Sequence, residues 1–295
     1  MAWKQFLDNY NNHISIERSL SHNSVDSYMR DLMKIAKFFS NTSPTLLKHT
    51  DIQKYITEMA NTNISARSQA RAISTLRSFF NFLILEKYIK SNPCEHIFSP
   101  KIGTKLPSVL TVQEIDLIIS SIDLSKEHGE RNRTIIECLY SCGIRVSELI
   151  NLKISDLDFK ENILKVIGKG NQQRIVPINN TLKRYLTTYI ESIRPNQKID
   201  KKHVDTLFLN RRGKNLSRVM IFTIIKRITT NAGIMKPISP HTFRHSFATH
   251  MVEGGADLRI VQEILGHANI TTTEIYTHLN NDFLRQEIIN YHPRA

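Results

Sequence analysis

Apolar side chains recur every three or four residues through most of the first ninety or so positions. In "HNSVDSYMRDLMKIAKFFS", Val25, Tyr28, Leu32, Ile35, Phe38 and Phe39 fall on one side of a helix. In "ISARSQARAISTLRSFFNFLILEKYI", Ile73, Leu76, Phe80 and Leu83 do the same while Arg67, Arg71 and Arg77 lie elsewhere, and Asn92-Pro93 ends the pattern. The stretch 97–110, "IFSPKIGTKLPSVL", breaks the periodicity with two prolines, a glycine and lysines, and reads as an exposed linker. Beyond it "TVQE" opens a new helix as a capping box of Thr111 and Glu114, and helices follow to Leu157. "NILKVIGKGNQQRIVPIN" then alternates as two β runs around a Gly-Lys-Gly turn, a hairpin, and "TLFLN" is a further short strand candidate among the helices that resume. The pattern predicts a mainly α chain in two parts: an all-α domain over 1–96, the linker, and over 111–295 a mixed α domain with a small β-sheet or hairpin.

Composition supports a folded protein, with 40% hydrophobic residues. Lys+Arg exceed Asp+Glu by 13, which favours a polyanionic partner, nucleic acid or an acidic membrane surface. The excess is shared, +6 over 1–105 and +7 over 106–295, which suits two basic parts closing on a duplex better than one basic tail. No stretch is apolar for long enough to span a bilayer, and the start carries no apolar run of signal-peptide length. Three cysteines without framework spacing fit a reducing cytoplasm, and Cys138 and Cys142 read as small core residues.

The densest chemistry lies in "SPHTFRHSFATH", 239–250. Ser239 is a good N-cap and Pro240 suits the first helical position. His241, Arg244 and His245 share one face of the helix, whereas Phe243, Phe247 and Met251 form an apolar stripe and His250 falls on the far side, as a structural residue. Cationic groups in a first helical turn oppose the helix dipole, a cost that makes sense if a phosphate occupies the site. The four-residue spacing of His241 and His245 is that of a helical zinc pair. No Glu follows the first histidine, and Arg244 would repel the ion, so no metal site is expected. Elsewhere, Arg145 follows a helix stop at Gly143, Lys169 occupies the hairpin tip, His267 follows a Gly-ended helix, and Tyr276 lies in a helix opened by Thr271 and Glu274.

In order, Arg145, Lys169, His241, Arg244, His267 and Tyr276 resemble the catalytic signature of the tyrosine recombinases, within the phage-integrase superfamily. The flanking words "GIRVSEL", "HTFRHSFATH", "LGH" and "TTTEIYTH" match as well. "LSHNSVDSYMRDL" near the start and the closing "HPRA" carry the resemblance along essentially the whole chain, nearest to the Xer chromosome-dimer recombinases. The resemblance implies a two-domain DNA clamp, with a core-binding domain ahead of a catalytic one. It implies site-specific cutting and rejoining of DNA through a 3′-phosphotyrosyl intermediate, without metal or other cofactor, in the service of chromosome segregation at cell division.

By the same resemblance Tyr276 is the nucleophile, Arg145 and Arg244 grip the phosphate, and His267 donates to it. His241 is the general base, Lys169 the general acid, and Glu148 and His245 are supporting residues. Ser24, Tyr28, Arg67 and Arg71, on polar helix faces of the first domain, are candidate DNA contacts. The resemblance also implies a cyclic tetramer on DNA, joined by a C-terminal helix bearing Phe283, Ile288 and Ile289 that docks on the next subunit. A second Xer recombinase and a septal DNA translocase are implied partners. Two alternatives remain: a mobile-element integrase of the same superfamily, disfavoured because the helical pattern begins almost at Met1, and a non-catalytic DNA-binding regulator.

Overall fold

The computed structural model describes residues 3–62, 64–101, 103, 108–266 and 281–294, and the backbone alone at Lys169, Asn281 and Asp282. The chain divides into two units, Met1–Lys105 and Leu106–Ala295, each with its own buried core.

The first unit is built from α1 (Lys4–Asn12, continued by a π turn), α2 (His22–Phe38), α3 (His49–Asn61) and α4 (Ala66–Leu85). The apolar period of α4 buries Ile73, Leu76, Phe80 and Leu83. On α2, Val25, Leu32 and Ile35 are buried, but Phe38 is 41% exposed and meets Phe39 and Tyr55 edge-on at the rim. Aromatic rings pack together within the core: Trp3 stacks on Phe79 at 5.8 Å and Tyr10 meets the same ring edge-on at 5.3 Å. One buried carboxylate crosses between helices, Asp31 of α2, held by a two-pronged contact from Arg71 of α4 at 2.9 and 3.0 Å. The expected exposed linker is anchored at both ends. Ile97 is buried in the first core and its carbonyl accepts from Arg77, and Leu110 is buried in the second. Phe98 between them is 88% exposed.

In the second unit α5 (Val112–Ser120) opens with the expected box: Thr111 Oγ1 accepts from the Glu114 N–H at 3.1 Å, and Glu114 Oε2 accepts from the Thr111 N–H at 2.8 Å. Next come α6 (Gly129–Ser141), the single turn α7 (Val146–Leu149), β1 (Leu157–Asp158), β2 (Ile163–Ile167) and β3 (Gln173–Pro177). The strands form an antiparallel sheet in the order β1-β2-β3, with Val166 opposite Arg174 and Ile167 opposite Gln173. The Gly168 N–H donates to the Gln172 carbonyl at 2.7 Å, closing the hairpin around Lys169. The remaining helices are α8 (Asn180–Thr188), α9 (Arg218–Asn231), α10 (Pro240–Gly254), α11 (Leu258–Leu265) and α12 (Asn281–Tyr291). Cys138 and Cys142 are fully buried, as small core residues should be.

"TLFLN" is not a strand. Leu207, Phe208 and Leu209 are buried, but the segment makes only isolated bridges at Thr206 and Leu209. Arginine side chains take its carbonyls instead, Arg131 at Leu209 (2.7 Å) and Arg194 at Thr206 (2.9 Å), so the polar backbone is satisfied without a ladder.

In this single chain α12 packs against α10 and β3 of its own unit, with Leu284 and Ile288 buried and Phe283 and Ile289 facing outward. Gly254 permits the approach, since a Cβ there would lie 2.6 Å from the Tyr291 carbonyl. Ile288→Ala is expected to lower stability by ~2–5 kcal/mol, read from denaturant melts of the whole chain.

Beyond α12, His292 packs on the rings of Tyr140 (4.9 Å) and Phe247 (5.5 Å), and its Nδ1 accepts from the Arg294 N–H at 3.0 Å. The Arg294 guanidinium reaches Asp116 at 2.7 Å and Glu137 at 3.6 Å. Burial, with the positive charge of Arg294 nearby, pushes His292 down from 6.5 to about 3. The unfolded chain therefore takes up a proton below pH 6.5 that the folded chain refuses until about pH 3, and stability falls with pH across that window. Glu137, pushed up by burial, acts with the opposite sign, because its protonated form favours the folded state. Comparison with His292→Asn cancels that contribution. Wild type should lose about 2 kcal/mol more than the variant between pH 7 and pH 5, measured by urea melts at both values.

Candidate active site

Gly143 creates the floor of the site. It ends α6 with φ +56°, and a Cβ there would lie 2.5 Å from the Phe247 ring and 2.9 Å from Leu265, so only glycine lets the chain turn this close to α10 and α11. The turn delivers Arg145 to the N-cap of α7, two residues on. Ser239 and Pro240 start α10 as the sequence predicted, with the Ser239 N–H donating to Thr242 Oγ1 at 3.1 Å. The Phe243, Phe247 and Met251 stripe is fully buried, which turns His241 out to solvent. His250 is buried with Nδ1 2.8 Å from the Tyr140 hydroxyl, the structural role expected of it.

Arg244 does not sit on an open cationic face. It is 7% exposed and its guanidinium donates to the carbonyls of Gly143 (2.8 Å) and Leu265 (2.7 Å). Burial, then the positive charge of Arg145, pulls it down to about 10, which leaves it charged at neutral pH. Arg145 is more open, with its side chain 33% exposed, and donates to the Gly266 carbonyl at 2.9 Å and to Glu148 Oε1 at 2.8 Å. Gly266, at φ +66°, is the left-handed cap of α11. Arg244, Arg145 and the side chains of His241 and His245 are thus grouped around the end of α11. A cavity of about 490 Å³ opens between Ser108, His241, Arg244, His245 and Leu265.

One member of this group went unread in the sequence. Arg174 of β3 donates from Nε to the Ile264 carbonyl at 2.7 Å and from its two terminal nitrogens to Glu148 at 2.9 and 2.8 Å. Three consecutive carbonyls, Ile264, Leu265 and Gly266, therefore each receive an arginine: Arg174, Arg244 and Arg145. The negative end of the helix dipole favours all three. Glu148, 5% exposed, lies among them. Burial alone would raise its pKa, but hydrogen bonds from Arg174 and from the backbone and side chain of Arg145 hold it below the usual carboxylate range. Three guanidiniums around one carboxylate leave a net double positive charge, suited to an oxyanion that gains charge during reaction. An arginine within the alternating run "QRIVP", on a hairpin beside a lysine tip, was the available signal for Arg174.

The backbone of Lys169 lies in a tight turn at the hairpin tip, and nothing further is described of its side chain. His267 and Tyr276, with the expected capping box of Thr271 and Glu274, lie outside the described residues. The candidate DNA contacts are in the first unit. Arg67 is exposed on α4, Arg71 is tied to Asp31, Ser24 is 2.9 Å from Ser21 Oγ, and Tyr28 packs partly against the core.

Comparison with known proteins decides the family. The Phage integrase family model matches residues 108–282, and the model of a phage integrase N-terminal SAM-like domain matches residues 7–87. Tyrosine recombinase XerD of Staphylococcus epidermidis is 43% identical over 98% of this chain and 99% of its own length. The chain belongs to the tyrosine recombinases, in their Xer branch. Tyrosine recombinase XerD of Staphylococcus aureus is 44% identical over the same shares. Among solved structures, the XerA recombinase is 31% identical over 99% of both chains, with a TM-score of 0.51. The XerH recombinase bound to its difH substrate covers 91% of this chain and 79% of its own, at a TM-score of 0.68 and 24% identity, which shows the fold. This recombinase is thus a site-specific DNA recombinase, and DNA is its partner. Among its described residues no helix is long and apolar enough to cross a membrane.

Proposed function

We propose that this recombinase resolves chromosome dimers, cutting and rejoining a specific site through a covalent bond to Tyr276. The observation that carries the reading is the convergence of Arg145 and Arg244 on the end of α11, one residue before His267. Planar guanidiniums held on backbone carbonyls are preorganised donors for a phosphate, and their orientation has already been fixed before DNA arrives. His267 adds a hydrogen bond to the same oxygens.

In the proposed reaction the Tyr276 oxygen attacks phosphorus while its proton passes to His241. The bond to the 5′ oxygen breaks, and that oxygen takes a proton from Lys169. One phosphoester replaces another, so the step needs no nucleotide hydrolysis. A phenol has a reference pKa of about 10 and needs the nearby cations to favour its anion. Glu148 orients the arginines, and His245, on the same helix face as His241, supports the cavity wall. Phosphate contacts from the first unit, led by the exposed Arg67, supply affinity with strong salt dependence.

Assembly follows from α12. Its outward side chains, Phe283 and Ile289, offer a second apolar face to a neighbouring copy. A cyclic tetramer would join four such contacts head to tail, in a ring that can include a second Xer recombinase and be activated by a DNA translocase. A chromosomal substrate places the protein in the cytoplasm.

The test is covalent trapping. Purified protein is mixed with labelled, nicked duplexes bearing candidate sites, and denaturant-resistant protein–DNA adducts are measured. Adduct formation is the expected result. Its absence on a duplex shown to be bound, with the partner recombinase added, would overturn the reading in favour of a non-catalytic DNA-binding protein.

A further inference from the structure

We propose that Arg174 is a positioning residue for strand cleavage, tying the hairpin that carries Lys169 to the two elements that hold the phosphate-facing arginines. The inference rests on the reading of Lys169 as the proton donor to the leaving 5′ oxygen.

The geometry is specific to this side chain. Arg174 sits on β3 opposite Val166, two ladder positions from the turn. Its side chain is 13% exposed, so its contacts are not those of a solvated strand arginine. The Glu148 carboxylate, whose side chain is 3% exposed, takes both terminal nitrogens of Arg174, while Nε goes to the Ile264 carbonyl. A planar fork with a third, side-on donor is needed to make these contacts together, and an ammonium cannot reproduce the set.

Space is restrictive on the Gly266 side. A Cβ on Gly266 would come within 3.0 to 3.2 Å of the Arg174 side chain, and one on Gly168 would lie 3.7 Å from both Arg174 and Glu148. Gly266, immediately before His267, is therefore pressed against this ion pair, while Gly168, at the foot of the Lys169 turn, lies at ordinary contact distance from it. Through Glu148, which also caps the Arg145 N–H at 2.8 Å, the same pair fixes the start of α7. β1 pairs with Ile163 and Leu164, at the end of β2 away from the turn, so the ladder beside the tip has two strands. The Arg174–Glu148 pair supplies the link by which the tip is registered against the phosphate site. The pair also has an electrostatic consequence. With Arg174 present, Glu148 is neutralised from the hairpin side, so Arg145 can engage both the carboxylate and the substrate.

The experiment compares Arg174→Ala, Arg174→Lys and Lys169→Ala with wild type in the full chain. Cleavage is measured in single turnover on two trapping duplexes. One has the natural 5′-oxygen leaving group, and the other a 5′-sulfur, whose thiolate leaves without a proton. With oxygen, Arg174→Ala should cleave ~10–100-fold slower than wild type, while site binding stays within about threefold. With sulfur, both Arg174→Ala and Lys169→Ala should recover to near the wild-type rate. Arg174→Lys, which keeps the charge and loses the fork, should fall between alanine and wild type on the oxygen duplex. A general structural defect would slow both duplexes alike.

Equal loss of Arg174→Ala on oxygen and sulfur, or a wild-type rate on oxygen, overturns the inference while the family mechanism stands. Failure of sulfur to rescue Lys169→Ala overturns instead the reading of Lys169 on which the inference rests.

Discussion

Tyr276→Phe protein is expected to bind a recombination site as tightly as wild type and to form no denaturant-resistant adduct with it. The substitution removes one oxygen and leaves the ring. Affinity in protein–DNA complexes comes chiefly from phosphate contacts, to which a single phenol adds little, so binding is the internal control for folding. Adduct formation has no such redundancy, because without the oxygen no phosphotyrosyl bond can form. Nicked, labelled duplexes accumulate the adduct, so even a small residual fraction would be visible on a denaturing gel. An adduct that persists in Tyr276→Phe would locate the nucleophile on another side chain and sink the proposed assignment. Loss of both binding and adduct would show a structural defect, and the variant's melting curve would reveal it.

Arg244→Lys should reduce cleavage by ~10²–10³-fold, the loss typical when one preorganised oxyanion donor is removed. The charge survives in this variant. What is lost is the fork that reaches Gly143 and Leu265 at 2.8 and 2.7 Å and holds the remaining edge of the guanidinium toward the cavity. A lysine ammonium is a point charge on a flexible stem and cannot hold both carbonyls while presenting a donor to phosphate. Arg244→Ala should cost more. It would take the donor from the Gly143 carbonyl and leave that of Leu265 with only the longer contact from Arg145 at 3.4 Å, a loss of about 1–3 kcal/mol, and so lower the melting temperature as well as the rate. Single-turnover cleavage and site binding, measured on the same preparation, separate the effects. Near-wild-type cleavage by Arg244→Lys would show that Arg244 is a brace for α11 and not a phosphate ligand.

Local signals carried far in this chain. The capping box of Thr111, the Ser239-Pro240 helix start, the Gly143 stop and the hairpin around Lys169 all depend on residues within a few positions of each other, and each formed as its residues imply. Phe38 shows where periodicity alone runs out: its helix position is right, but the core stops short of it. "TLFLN" had the right side chains for a strand but formed only isolated bridges. Its carbonyls at Leu209 and Thr206 found Arg131 and Arg194, 78 and 12 positions away. Arg174 was missed for the same reason. A charged residue on a hairpin ordinarily faces solvent, and its partner Glu148 lies 26 positions earlier on a different element. Glu148 itself was legible only as a neighbour of Arg145, three residues away, and not as the junction of two guanidiniums. The apolar face of α12 announced burial but not against which surface. The fold supplies one answer for the single chain, through Leu284, Ile288 and His292.

The arginines at the end of α11 are bonded to backbone carbonyls and to one buried carboxylate, and dissolved ions reach neither easily. Raising ionic strength should therefore act on the encounter between protein and DNA and leave the cleavage machinery assembled. Occupancy of the recombination site and the rate of reaction once it is occupied become separable quantities. In the cell, the local concentration of competing polyanions would set how often a site is found, while the pace of each completed cut would be a property of the folded chain alone.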